Sequence, residues 1–152
     1  MPVITLHTFI KADPEICFNL SRSVDIHLCS TARTGERVVK GRASGLLEPN
    51  EDITWRAKHL GVTQDLTSRI TEYDFPVRFV SEMQKGIFRK LHHQHLFSKE
   101  GLGTRMTDVF DFEAPMGFLG DIACSLFLTN YMTGFLLERN ETIRRMAEAD
   151  ES

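Results

Sequence analysis

Apolar and polar residues alternate most clearly in residues 86–115, where two strand-like runs flank the turn-forming segment 98–103. Because side chains on a strand point alternately to its two faces, every second residue of a run shares one face. Glycine and polar residues at 98–103 are typical of a hairpin turn. The faces predicted to be buried carry Leu91, His93, His95 and Phe97 in the first run and Met106, Asp108, Phe110 and Phe112 in the second.

The same alternation predicts further strands before this hairpin. Their predicted ranges are 3–11, 36–42, 52–60, 63–73 and 77–85. Turn residues such as Gly61 separate neighbouring strands. One face of each of the three later strands is formed by Ile53, Trp55, Ala57 and His59, by Leu66, Ser68 and Ile70, and by Phe79, Ser81 and Met83.

Two short helices are predicted after the first strand. Asp13, Pro14 and Glu15 form a helix start, with Asp13 as the capping residue and proline at the first helical position. Ser23 or Asp25 is positioned to cap a second helix. The apolar stripe of the first helix is predicted to comprise Ile16, Cys17, Leu20 and Val24, and the second helix to end at Leu28.

After Pro115 the apolar period changes from two residues to three and four, which is typical of an amphipathic helix. Residues 117–120 are expected to form a flexible segment that leads into this helix, and Asp121 is the predicted cap. The helix is expected to end near Ala147, and residues 148–152 are predicted to fray. Arg139 is expected either to form an ion pair within the domain or to bind an acidic head group. The predicted stripe contains Ile122, Leu126, Thr129, Met132, Leu136, Arg139, Ile143 and Met146, widened by Phe127, Tyr131 and Phe135.

The order of these elements predicts an α+β fold in one domain covering residues 1–152. Consecutive strands joined by short turns form an antiparallel meander of about seven strands, and the long helix is available to cover it. A curved sheet wrapped around a helix leaves space between the two, where a pocket can form.

Composition restricts the classes of partner. The net charge of −3 and scattered basic residues argue against nucleic-acid binding. The first residues lack a signal-peptide pattern, and the apolar run 126–137 is too short for stable membrane insertion. Three widely spaced cysteines fit neither a disulfide framework nor a zinc motif and favour the cytoplasm. No cofactor motif is recognised, and whether the chain forms a homodimer stays open.

His93, His95 and Asp108 are the main candidates for chemistry. Buried polar groups need partners, so the three could pair with one another across the hairpin. They could instead face a ligand, with a histidine orienting it or acting as an acid and a base. Two histidines two residues apart could also hold a metal, with Asp108 or His59 as a third ligand. These three alternatives remain open at the level of sequence.

Several local motifs resemble the helix-grip superfamily of START-related and pollen-allergen-like proteins (SRPBCC), and especially its bacterial ligand-binding members, some described as polyketide cyclase/dehydratase. The matching segments are Asp13-Pro14-Glu15, Trp55-x-Ala57-x-His59, Arg78-Phe79-Val80, Gly86-x-Phe88, His93-x-His95-x-Phe97, Gly103-Thr104-x-Met106-Thr107-Asp108 and Pro115-x-Gly117-x-x-Gly120. The sequence departs from the family pattern at Ile87, Leu91, Ser81 and Met83. These departures make the expected cavity less polar than is usual in the family.

The resemblance implies a curved sheet around the C-terminal helix and a pocket for a small hydrophobic molecule, which is lipid-like, polyketide-like or aromatic. The alternatives are a cyclase or dehydratase with His93, His95 and Asp108 as acid–base groups, and a ligand-regulated binding protein. The residues expected to contact the ligand are Trp55, His59, Leu66, Ile70, Phe79, Met83, His93, His95, Phe97, Asp108, Phe110, Phe112 and Tyr131.

Overall fold

A computed structural model describes residues 3–59, 61–115 and 122–151. The strands are β1 (Val3–Ile10), β2 (Arg37–Lys40), β3 (Asp52–His59), β4 (Val62–Asp74), β5 (Arg78–Lys85), β6 (Lys90–Glu100) and β7 (Gly103–Glu113). They form one sheet in the order β1-β7-β6-β5-β4-β3-β2, and every neighbouring pair is antiparallel. The predicted α+β meander of seven strands is confirmed.

Three helices of the described residues accompany the sheet. They are α1 (Pro14–Ser21), α2 (Val24–Ser30) and α3 (Ile122–Glu151), and a single 3-10 turn, Ala32–Thr34, follows α2. The long helix α3 packs against β1, α1 and α2. This arrangement is the predicted helix-grip fold. Within the described residues, no helix combines the length and apolar character needed to cross a membrane.

The β6–β7 hairpin determines which side chains meet. Its turn is shorter than predicted, because β6 and β7 extend through most of segment 98–103. Gly101 has a φ of 59°, a backbone conformation that glycine adopts without steric cost. A Cβ at Gly103 would collide with the carbonyl oxygen of Ile10, so glycine allows β7 to approach β1. The resulting register pairs His95 with Asp108.

The helix starts differ partly from expectation. Asp13 occupies the cap position of α1, but its side chain makes no capping hydrogen bond. Its carboxylate instead lies 3.0 Å from the Lys99 ammonium on β6. Ser23 caps α2 by accepting a hydrogen bond from the Ile26 backbone N–H, as one of the two predicted alternatives required. The predicted cap Asp121 and the approach 117–120 lie outside the described residues.

The buried face of α3 also differs from the predicted stripe. Leu126, Phe127 and Met146 are exposed, although all three were expected on the inner face. Among the described residues, Leu128 is the first side chain of α3 that lines the cavity between the sheet and α3. The helix also continues through residues predicted to fray. The side chains of α3 that are buried are Leu136, Arg139, Asn140, Thr142, Ile143 and Ala147.

Phe18 on α1 lies at the centre of the largest apolar cluster, a role that the predicted stripe of α1 missed. Its side chain is completely buried. Its ring contacts those of Tyr73, Phe75, Phe79 and Phe97 at centroid distances of 5.0 to 5.4 Å. This cluster, together with Ile143 and Ala147 of α3, fills one end of the space between sheet and helix.

Candidate functional site

The other part of that space is an open cavity. It has a volume of about 500 Å³ and lies between the inner face of the sheet and the first half of α3. Leu128, Met132, Phe135 and Leu136 form the helix side of its wall. The predicted ligand-contacting residues that line it are Trp55, His59, Leu66, Ile70, Phe79, His93, His95, Phe110 and Tyr131.

Four predicted contact residues are not among the described residues that line the cavity. Phe97 belongs to the Phe18 cluster, and Phe112 packs with Phe110 and Leu136. Met83 lies on β5 beyond the last wall residue of that strand, Ser81. Asp108 is fully buried behind His93 and His95. Asp108 therefore does not border the cavity itself, and the two histidines lie between its carboxylate and the cavity.

Asp108 is the centre of a buried polar cluster. Its Oδ1 accepts a hydrogen bond from His93 Nε2 at 2.7 Å, and its Oδ2 accepts one from Asn140 Nδ2 at 2.7 Å. The Nη1 of Arg139 lies 3.7 Å from Oδ1. His95, which is directly opposite Asp108 in the strand register, is farther away, with Nδ1 at 3.6 Å. The predicted pairing across the hairpin exists, and His93 rather than His95 makes its short hydrogen bond.

Arg139 connects the cluster to the helix layer. Its Nη1 donates to Asn140 Oδ1 at 3.0 Å, and its Nη2 donates to the Ser21 carbonyl at 3.1 Å and to His95 Nδ1 at 3.4 Å. The buried guanidinium balances the charge of Asp108. The ion pair within the domain, one of the two predicted roles for Arg139, is present, and Arg139 also lines the cavity.

The environment determines the charge state of each member. Burial lowers the pKa of His93 although Asp108 opposes the shift, and burial lowers the pKa of His95 well below 6.5. Burial alone would raise the pKa of Asp108, but its hydrogen bond from His93, the charge of Arg139 and the hydrogen bond from Asn140 hold it below 3.8. At neutral pH the two histidines are therefore neutral and Asp108 is ionised.

These hydrogen bonds also define the tautomers. His93 donates its Nε2 proton to Asp108, so its Nδ1 is an acceptor. His95 Nδ1 accepts from Arg139, so its proton is on Nε2. His93 Nδ1 and His95 Nε2 have no hydrogen-bond partner among the described residues, and both rings line the cavity. The site thus offers one acceptor and one donor on rings stacked 3.8 Å apart.

The cluster favours mutual hydrogen bonding over a metal. His93, His95 and Asp108 offer ligand atoms within 4.8 Å of one another. However, both oxygens of Asp108 already accept hydrogen bonds, and the adjacent guanidinium would repel a cation. His59, the alternative third ligand, is on β3, three strands from His93 on β6.

A second polar cluster lines another part of the cavity wall. His59 Nδ1 lies 2.7 Å from the Tyr131 hydroxyl, and His27 Nε2 lies 2.6 Å from Glu36 Oε1. The His27 ring also lies on Trp55 at a centroid distance of 4.0 Å. Burial lowers the pKa of His59 and raises that of Tyr131; the charge of Glu36 acts on both groups.

Sequence patterns missed several of these residues. Glu36 and His27 carried no signal, because only tertiary packing brings α2 and β2 to the cavity. Asn140 follows Arg139 in the helix. Its position next to a residue that was predicted to lie on the inner face was the one sequence signal for it. Ser81 was placed correctly on the inner face of its strand, but it was not selected as a wall residue.

No protein-family model matches the chain, and no curated protein matches its sequence. Solved structures do match it. The protein TTHA0849 from Thermus thermophilus is 19% identical, with a TM-score of 0.79 and coverage of 99% of this chain and 100% of that one. A START superfamily protein from Mycobacterium smegmatis is 10% identical, with a TM-score of 0.69 and 97% of both chains covered.

Ginseng major latex-like protein 151 from Panax ginseng is 16% identical, with a TM-score of 0.66 and coverage of 96% of this chain and 97% of that one. At these identities the likeness concerns the fold. The chain therefore has the helix-grip fold that its sequence predicted.

Proposed function

We propose that the protein binds a small, mainly apolar molecule in the cavity between its sheet and α3. The observation that carries this proposal is the cavity itself, with about 500 Å³ of space and a mostly apolar wall. Ligand sites are typically concave and apolar with a few polar groups that orient the ligand. A space of this size inside a domain also forgoes packing that would stabilise the fold, which favours an occupant.

His93 and His95 are proposed to orient the ligand. Their unused ring nitrogens, an acceptor and a donor, match a group that both donates and accepts, such as a hydroxyl, a phenol or an enol. Asp108, Arg139 and Asn140 would act as positioning residues, because they hold the rings in these tautomers. The ligand class that fits is a largely apolar molecule with such an oxygen at one end.

Native mass spectrometry of freshly purified protein tests the binding proposal. We expect an excess mass that is lost on denaturation and that matches an apolar organic compound. Ser81→Phe, which places a phenyl ring in the cavity, should reduce the excess, whereas Ser98→Phe at an exposed position of β6 should leave it unchanged. An excess mass that is the same in Ser81→Phe as in the wild type would contradict binding in this cavity.

An acid–base enzyme of the cyclase or dehydratase type is the second candidate. It is favoured by the hydrogen bond from His93 to Asp108, which leaves the His93 Nδ1 lone pair available as a base. Nitrobenzisoxazole is a suitable probe, because a base that removes its ring C–H proton causes the N–O bond to break and releases a coloured phenolate. This candidate is supported if the wild-type protein accelerates the reaction, His93→Gln does not, and His92→Gln, on the opposite face of the strand, still does. A wild-type rate equal to that of buffer would contradict it.

We further propose that the protein is cytoplasmic and that it does not bind nucleic acid. Exposed arginines on β3 and β4 form ion pairs, with Arg56 beside Asp65 and Arg69 beside Asp52, so they do not form a free basic surface. The net charge of −3 supports the same assignment. A homodimer stays a prediction for measurement in solution.

A further inference from the structure

Glu36 is a buried acidic group on the wall of an otherwise largely apolar cavity. It lies just before β2, and only 6% of its side chain is exposed. It lines the cavity at the end formed by Trp55, His59 and Tyr131. No sequence motif pointed to this residue, and the pairing of His93 with Asp108 does not involve it.

The hydrogen bonds of Glu36 are incomplete. Its Oε1 lies 2.6 Å from His27 Nε2, whereas its Oε2 has no hydrogen-bond partner among the described residues. Among the described residues only Thr71 Oγ1 is both enclosed and without a partner, so Oε2 of Glu36 is accessible to a donor from outside the protein. Since the residue borders the cavity, a ligand can supply that donor.

Within the part of the chain that the structure describes, no arginine or lysine forms an ion pair with Glu36, whose partner is His27. Arg33, the nearest arginine on its N-terminal side, is 82% exposed and pairs with Glu138 on the outside. The rings near Glu36 are aromatic, with His27 on Trp55 and His59 in edge contact with Tyr131. A carboxylate beside aromatic faces is the combination that attracts a cationic nitrogen.

We infer that Glu36, with Trp55 and Tyr131, forms a second subsite that binds the protonated amino group of an otherwise apolar ligand. This inference rests on the proposed function, because it assigns one end of the ligand in the same cavity. His59 on β3 and His93 on β6 are three strand spacings apart, which is about 14 Å along the sheet. The ligand is therefore elongated, with its amine at Glu36 and its oxygen at His93 and His95.

Displacement of the fluorescent apolar probe N-phenylnaphthylamine tests this assignment at neutral pH. The competitors are dodecylamine, dodecanol and dodecanoate, which share one alkyl chain and differ in the charge of the head group. Wild-type protein should bind dodecylamine about tenfold more tightly than dodecanol, because this ratio corresponds to the free energy of a hydrogen bond to a charged group. It should bind dodecanoate more weakly than either. Glu36→Gln should abolish the preference for dodecylamine over dodecanol.

Glu138→Gln is the matched control, since it removes one negative charge near the same end but outside the described cavity wall. It should retain the preference for dodecylamine. If the wild-type protein binds dodecylamine and dodecanol with equal affinity, the Glu36 subsite is overturned, and this outcome does not depend on whether Glu36→Gln folds. A Glu36→Gln variant that still prefers dodecylamine to dodecanol would overturn it as well. If neither the probe nor any competitor binds, the proposed function itself is overturned.

Discussion

At the scale of single residues, the site is a set of buried charges and imidazoles that satisfy one another and leave two ring nitrogens unused. Asp108 receives two hydrogen bonds of 2.7 Å and lies beside Arg139. Because the cluster is fully buried, every member depends on the others for its charge state. Changes to one member should therefore affect the rest.

The ion pair between Arg139 and Asp108 leads to one prediction. Arg139→Met should lower the free energy of unfolding by about 3–5 kcal/mol, because it leaves a buried carboxylate without its counterion. Adding Asp108→Asn should recover part of that loss. Urea-induced unfolding measures both variants, with Arg33→Met, at an exposed ion pair, as the control that should change little. Purely additive losses in the double variant would count against the pair.

A second prediction concerns pH. The pKa values of His93 and His95 are below 6.5 in the folded protein, chiefly because of burial. Below pH 6.5 the unfolded chain therefore takes up protons that the folded protein does not, and stability should fall as the pH falls. His95, whose pKa lies well below 6.5, contributes at most about 1.4 kcal/mol per pH unit to that slope.

Unfolding by urea at a series of pH values between neutrality and pH 5 measures this slope. His95→Gln removes one titrating ring and should reduce the slope by one histidine's share, while His7→Gln on exposed β1 should not. Asp108 has its depressed pKa below 3.8, so the stability it contributes is lost only at a lower pH than this window. Equal slopes in wild type and His95→Gln would show that His95 is not held neutral.

At the scale of elements, α1 contributes more to the fold than its predicted apolar stripe suggested. Phe18 packs against side chains from β4, β5, β6 and the β4–β5 turn. This contact closes the packed end of the space between sheet and α3, and the remaining space becomes the cavity. The short helix thus determines where the core ends and the site begins.

Phe18→Ala is expected to lower the free energy of unfolding by about 3–5 kcal/mol, since it removes a fully buried ring. Phe9→Ala is the matched control, because Phe9 is 47% exposed. Denaturant unfolding of both variants provides the comparison. Similar losses in the two variants would contradict the central role assigned to Phe18.

At the scale of the whole molecule, the fold separates a packed core from a cavity. The Phe18 cluster and the C-terminal half of α3 form the core, while the first half of α3 faces the cavity. Leu126 and Phe127 are exposed and lie outside the described cavity wall, so the periodic pattern was wrong to place them on the inner face. An apolar molecule that enters the cavity should stabilise the entire domain.

N-phenylnaphthylamine at a hundred times its dissociation constant should raise the free energy of unfolding by about 2.7 kcal/mol, because it binds only the folded state. Thermal and urea unfolding with and without the probe measure this gain. Ser81→Phe should show a smaller gain, as its ring takes up part of the same space. A gain of equal size in Ser81→Phe would locate probe binding elsewhere.

Local patterns were sufficient for the strand order, the hairpin face with His93, His95 and Asp108, and the helix after Pro115. These features follow from alternation and periodicity, which depend on neighbours in the chain. Local patterns did not predict where β2 begins and ends, how short the turn before Gly103 is, or that the side chain of Asp13 makes no capping hydrogen bond. Contacts from distant strands decide each of these, as the pairing of Lys99 with Asp13 illustrates.

The sequence by itself determined the α+β class, the helix-grip order of elements and an inward face that mixes imidazoles with phenylalanines. Only the tertiary structure decided that His93 rather than His95 donates to Asp108, that Arg139 is their counterion, and that Glu36 borders the cavity. The physical reason is distance along the chain. Periodicity records the face on which a side chain lies, whereas hydrogen bonds depend on ångström-scale packing between elements that are far apart in sequence.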